Sequence, residues 1–289
     1  MDQMTQPIQQ RKMQLPFLKY HSNGNNFIIL DERTFDHDNL DYKRLAMNFC
    51  NPKLSVGADG ILVLQSSTHA DLRMRLFEQD GTESDMCGNG IKCVMTHLNT
   101  TEQKTSVTLE TRGGIFTAHM QGSQVEMNLG HLQDPYAYVT NHPLTFTSLY
   151  PHIISMSVQG RVFHILNIGE PHAVIIDHPT LDLAQFMHIL QDTTLFPVGI
   201  NLNVLSKIDE NTIRVRTFER GVWNYTSSCG TGSLCSAVVA RYVLNCNPNH
   251  IIVKNDIGEQ TIFFRTDGIY SVSEAHHAFT GVVEIDKDV

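Results

Sequence analysis

The sequence contains no Cys-x-x-Cys pair and no His-Glu-x-x-His motif, although it carries six cysteines and 15 histidines. The spacings that hold a structural or hydrolytic zinc ion are missing, so no metal is expected. His276 and His277 are adjacent and face opposite sides if they lie in a strand. Positive charge is scarce: 21 Lys and Arg stand against 30 Asp and Glu, a formal charge of −9. That balance argues against nucleic acid as the main partner, because phosphate neutralisation needs clustered cations. No apolar run approaches a membrane span. The opening MDQMTQPIQQRK lacks an apolar signal core. A cytoplasmic protein is therefore expected, with residues 1–13 as a flexible extension. In a reducing compartment, six cysteines in 289 residues do not imply a disulfide framework. Tryptophan occurs once, at Trp223.

What is present is repetition. SDMCGNGIKC, ending at Cys93, is matched by TSSCGTGSLC, ending at Cys235. MRLFE and VRTFE precede them, and GADGILVL and GINLNVL lie further upstream. NNFIILD pairs loosely with EPHAVIID, and VTLETRGGIFTAHMQGSQVEM resembles IIVKNDIGEQTIFFRTDGIYSV. The shared order implies two homologous halves of ordinary domain size. Alternation and turn residues predict strands at 27–31, 61–65, 73–78, 106–110, 115–119 and 124–128. Their counterparts are at 173–177, 202–205, 213–218, 251–254, 261–265 and 269–273. Helices are expected at 41–50, 88–98, 182–190 and 230–245. The pattern fits an α+β fold in which each half wraps a strand-rich sheet around one central helix.

Taken alone, a Cys-Gly-x-Gly turn before a helix is ordinarily a turn with a buried thiol. Cys93 and Cys235 fit that description inside their helices, and Cys50 and Cys246 lack any motif. Duplication changes the reading for Cys87 and Cys229. Two homologous halves pack about a pseudo-twofold axis, which sets both cysteine turns across one cleft. A helix starting there offers N–H groups and a dipole to a carboxylate, and the same field favours thiolate. Facing thiols around one carboxylate suit inversion at Cα, one sulfur removing a proton and the other delivering one. Such chemistry needs no pyridoxal phosphate, and no cofactor is expected.

In order, HSNGNNF, GADG, DGTESDMCGNG, GEPH, FPVGIN, FERG and CGTG resemble the diaminopimelate epimerase family, from about Phe17 onward. The resemblance implies a cofactor-independent racemase or epimerase with two pseudo-symmetric domains. These would be residues 14–130 plus 278–289, and residues 131–277, with a last strand near Phe279 to Ile285 returning to the first. It implies that Cys87 and Cys229 are the acid–base pair, and that Gly88, Asn89, Gly230 and Thr231 cradle the α-carboxylate. It also implies substrate contacts for Asn25, Asn201 and Arg220, and places His172 and Glu219 beside the thiols and the α-amino group.

The expected distal end departs from the family. Glu78 and Glu170 stand where asparagine is usual, and a longer loop carries Trp223. Two acids repel a remote carboxylate and favour an N–H donor, and tryptophan stacks on flat cations. A basic amino acid is therefore expected, histidine first, with lysine, ornithine and arginine open. The alternative is diaminopimelate itself, with Glu78 paired to Arg220 and Glu170 turned to solvent. A non-catalytic amino-acid-binding protein would not need both thiols. A thiol redox sensor would join Cys87 and Cys229 as a reversible disulfide. The expected partner is a small-molecule amino acid; the oligomeric state is open, a homodimer among the options.

Overall fold

The computed structural model describes residues 12–35, 40–140, 147–178, 181–220, 224–226 and 228–286. Its first half contains β1 (Lys12–Ser22), β2 (Asn25–Asp31), α1 (Tyr42–Phe49), β3 (Gly60–Gln65), β4 (Leu72–Glu78), β5 (Glu83–Ser84), α2 (Gly88–Glu102), β6 (Ser106–Thr111), β7 (Gly114–Gln121) and β8 (Gln124–Asn128). There follow β9 (Thr147–Tyr150), β10 (Ile153–Val158), β11 (Arg161–Asn167), β12 (Pro171–Ile176), α3 (Met187–Leu190), β13 (Asn201–Lys207), β14 (Thr212–Glu219), β15 (Asn224–Thr226), α4 (Gly230–Tyr242), β16 (His250–Lys254), β17 (Glu259–Arg265), β18 (Gly268–Glu274) and β19 (His276–Asp286).

The repeat seen in the sequence is a repeat of strand pairing. One half runs β19–β1–β2–β3–β4–β6–β7–β8. The other runs β10–β11–β12–β13–β14–β16–β17–β18. Parallel steps fall at matching places: β2–β3 and β4–β6 in one, β12–β13 and β14–β16 in the other. The last strand thus does in the first half what β10 does in the second. It pairs with β1 from Lys12 opposite Asp286 to His21 opposite His276. The halves meet where β8 pairs antiparallel with β18, Asn128 opposite Tyr270 through Gln124 opposite Glu274.

Strand alternation sorts side chains between two layers. Phe27, Ile29, Leu62, Leu64, Met74 and Leu76 point inward onto Ile91, Val94 and Leu98 of α2. Ile28, Leu30, Ile61 and Val63 point outward onto Leu45, Ala46 and Phe49 of α1. Asp41 caps α1 by accepting N–H bonds from Lys43 and Arg44 at 3.1 and 3.2 Å. In the second half Val174 and Leu205 pack on α4, while Ala173, Ile175, Leu202 and Val204 pack on Phe186, Leu190 and Phe196. Cys93 and Cys235 are wholly buried in the helix-facing cores, and Cys50 and Cys246 are buried as well.

Several boundaries differ from expectation. The segment at 182–190 is a 3-10 turn, Leu183–Phe186, leading into the short α3. The helix at 230–245 stops at Tyr242, and Asn245 takes a left-handed φ of 52° that no helix continues through. β1, β10 and β11 were not expected, because FLKYHS and VFHILN share too little sequence to register as a repeat. Of the expected extension, residues 1–11 lie outside the described residues, and β1 begins at Lys12.

Leu62 is fully buried and lies against the first turn of α2, where a Cβ on Gly90 would meet its methyl at 3.1 Å. Leu62→Ala is expected to destabilise the fold by about 2–5 kcal/mol, read from the denaturant midpoint.

Candidate active site

α2 and α4 touch each other, and each packs on the strands of its own half of the sheet. Each has a cysteine as N-cap: Cys87 with φ −140° and ψ 118°, and Cys229 with φ −129° and ψ 117°. The near-identity of these angles is the clearest local trace of the duplication. Cys229 Sγ accepts from Gly232 N–H and lies by Thr231 Oγ1, both at 3.3 Å. At Cys87 the Gly90 and Asn89 N–H groups oppose the effect of burial, although none reaches full capping geometry. A Cβ on Gly230 would enter open space, which leaves that backbone approachable by a ligand.

Burial pushes both thiols up to about 12. Charge on Glu78 and Glu170 adds to this at Cys87, and charge on Glu170 and Glu219 adds to it at Cys229. An acid from each half therefore acts on Cys87, and the two cysteine turns share one electrostatic environment. Glu78 and Glu219, at equivalent places in MRLFE and VRTFE, are both raised by burial; the Ser84 and Thr226 side chains oppose this, and charge from the other half, Glu219 at Glu78 and Asp59 at Glu219, adds to it. Ser84 Oγ donates to Glu78 at 2.6 Å.

The amides are held in chains. Asn89 Nδ2 donates to Asn25 Oδ1 at 2.6 Å, and Asn25 Nδ2 lies 3.5 Å from Asp59 Oδ2. Asn201 Nδ2 donates to Glu170 Oε2 at 3.2 Å, while its Oδ1 accepts from the Arg220 N–H at 2.9 Å. Arg220 Nη1 donates to the Val198 carbonyl at 2.7 Å. Arg220 makes no ion pair with Glu78 or Glu170, so the pairing of Glu78 with Arg220 that accompanied the diaminopimelate alternative is not formed. Gly199, with φ +73°, admits the Arg220 side chain, which a Cβ there would meet at 2.8 Å. Trp223 lies outside the described residues.

His172 is completely buried, and burial pushes it down to about 4, so the ring is neutral. Its tautomer follows from its neighbours. Asn203 Oδ1 accepts from Thr217 Oγ1 at 2.9 Å, so Asn203 Nδ2 is the atom donating to His172 Nδ1 at 3.1 Å. The ring proton therefore sits on Nε2, which is buried without a hydrogen-bond partner. An unmet buried donor is costly unless a ligand or thiolate accepts from it.

Comparison with known proteins identifies the family. The diaminopimelate epimerase family profile matches twice, over residues 17–133 and 164–280. This chain belongs to the diaminopimelate epimerase family. A Methanocella arvoryzae protein named diaminopimelate epimerase is 34% identical over 94% of this chain and 98% of its own. An Archaeoglobus fulgidus protein of the same name is 32% identical over 95% and 98%. The fold is shared with a Bacillus anthracis phenazine biosynthesis protein of the PhzF family, TM-score 0.66 at 19% identity over 94% of this chain and 99% of that one. A hydroxyproline epimerase from Agrobacterium vitis, with bound trans-4-hydroxy-L-proline, has TM-score 0.60 at 13% identity over 94% and 93%. As a member of the diaminopimelate epimerase family, the chain is an isomerase of the epimerase class.

Asp59, Asn203 and Asn23 complete the amide chains but were not singled out from the sequence. The repeat held the signal for Asp59, since GADG aligns it with Asn201 of GIN after glycines that both have φ +73°. Gly232 ties α4 to the His172 network. A Cβ there would stand 2.2 Å from Asn203 Oδ1, so the amide must move. Gly232→Ala is expected to lower α-proton exchange on the order of 10²-fold, with thermal stability measured alongside.

Proposed function

We propose that this protein epimerises a free amino acid at Cα, with Cys87 and Cys229 alternating as thiolate base and thiol acid. The observation that carries the reading is the matched pair of N-cap cysteines on the two packed helices. One thiolate takes the Cα proton, and the C–H electron pair passes into the α-carboxylate as an enolate-like dianion. The opposite thiol then protonates the other face. The first sulfur ends as thiol and the second as thiolate, so the reverse reaction starts with the roles exchanged. N–H groups at the amino ends of α2 and α4 would meet the developing charge on the carboxylate. Neutral His172 offers its Nε2–H, and Glu219 offers a carboxylate for the α-ammonium.

For the substrate we infer diaminopimelate. Its distal carbon carries both an ammonium and a carboxylate, and the distal residues here include both signs. Asn201 donates to the Glu170 carboxylate and accepts from the backbone N–H of Arg220, whose guanidinium donates to the Val198 carbonyl and forms no ion pair with Glu170. The names of the full-length relatives support the same substrate. A second reading, histidine or a dibasic amino acid, is favoured by Glu78 and Glu170 as two acids that both act on Cys87.

The test is deuterium entry into Cα, and inversion, over all L-amino acids and both the LL and meso forms of diaminopimelate. Diaminopimelate is expected to turn over fastest. Cys87→Ser and Cys229→Ser should each lower inversion about 10²–10⁴-fold. Glu170→Asn separates the substrates by sign: it slows diaminopimelate if Glu170 binds the distal ammonium, and speeds it if Glu170 repels the distal carboxylate. Rapid turnover of histidine without diaminopimelate would establish the second reading. Absence of exchange for every amino acid would end the epimerase assignment.

A further inference from the structure

Lys92 is a buried cation that the chemistry above does not use. It lies on α2 and is 1% exposed. Its Nζ donates to Ser271 Oγ at 2.7 Å and to Ser273 Oγ at 2.8 Å, both on β18 of the opposite half. The ionisable groups acting on it are the Cys87 and Cys93 thiols, and no carboxylate among the described residues pairs with it. The acid on β18, Glu274, is engaged at the surface with Ser123 and His276. An ammonium buried without a counter-ion is costly. Its place near the amino end of a helix adds to that cost, because the dipole there is positive. The same arrangement becomes favourable once an anion sits at that helix end. In the repeat the equivalent residue is Leu234, wholly buried and apolar. Only one of the two half-sites carries the cation.

We propose that Lys92 is a positioning residue for the Cys87 half of the site: its ammonium favours thiolate at Cys87 over Cys229, and through Ser273 and Asn23 it orients Asn89 and Asn25. Lysine has no acceptor, so both serine oxygens accept from it. Ser273 Oγ also accepts from Asn23 Nδ2 at 2.9 Å. Asn23 Nδ2 donates onward to Asn89 Oδ1 at 3.1 Å, which turns Asn89 Nδ2 toward Asn25 Oδ1 at 2.6 Å. The Asn23 turn, with φ 50°, is itself clamped by Gly258, where a Cβ would lie 2.6 Å from Asn23 Cα. Burial pushes the Lys92 ammonium down to about 7, and charge on Cys87 and Cys93 pushes it back up. From other elements, Glu78 and Glu170 oppose thiolate at Cys87, and Glu170 and Glu219 oppose it at Cys229.

The inference rests on the two-thiol reading, and its test does not depend on turnover. Iodoacetamide labelling of Cys87 and Cys229 is followed by peptide mass spectrometry across pH in the ligand-free protein. Cys87 is expected to label with a lower pH midpoint than Cys229. Lys92→Met should raise the Cys87 midpoint by about one unit or more and leave Cys229 in place, and Lys92→Arg should restore it. Ser273→Ala, which cuts the relay and keeps the charge, should raise KM several-fold with a smaller change in kcat. Coincident wild-type midpoints, a joint shift of both cysteines, or no rescue by arginine would overturn the proposal. If Lys92→Met does not fold, the wild-type order of the midpoints and the Lys92→Arg result decide it. A wrong reaction assignment would appear in the exchange assay and not in the labelling.

Discussion

The first N–H groups of an α-helix have no partner inside that helix. In most proteins a side-chain oxygen or water meets them. Here the N-cap residue of both α2 and α4 is cysteine, with φ −140° and −129° and ψ 118° and 117° in the two halves. Sulfur is a weak acceptor, so much of the positive potential at each helix end remains available to an anion. The two ends share one electrostatic environment, since Glu170 acts on both thiols, and both thiols are buried. Each helix is enclosed by its own sheet, and the helices pack on each other. The seam between β8 and β18 fixes one half against the other.

Burial has opposite consequences for the groups in this site. It pushes the thiols up, which works against a thiolate base, and it strengthens every charge that could bring them down. It also holds His172 neutral with one N–H unmet. The acids Glu78, Glu170 and Glu219 make the empty site more adverse to thiolate. In the proposed reaction a bound amino acid would change that balance, its ammonium neutralising acid charge near both sulfurs, and would thereby couple substrate binding to thiol ionisation.

Symmetry explains why so much was legible in the sequence. Two short cysteine motifs in equal order with MRLFE and VRTFE were enough to place Cys87 and Cys229 as equivalent N-caps. Cores were legible for the same reason, since strand alternation is local. What escaped was whatever broke the symmetry or depended on distant pairing. β1 and β11 are equivalent in the sheets but share little sequence. The tautomer of His172 depends on Thr217 and Asn203, on two other strands. Lys92 reads as an ordinary helix residue until the fold buries it against β18. The alternative reading paired Glu78 with Arg220, but Ser84 donates to Glu78 instead and the guanidinium turns to the Val198 carbonyl.

The central claim is that two sulfurs act on opposite faces of one carbon. It is tested most directly by following inversion in deuterium oxide from a single protiated stereoisomer, with circular dichroism and mass spectrometry together. The account predicts that early product carries deuterium at Cα while remaining substrate keeps protium. The slower reaction of the deuterated product then drives the dichroic signal past its equilibrium value before it returns. Deuterium entering remaining substrate as fast as product, or product that retains the original proton, would contradict it and leave a single base in its place.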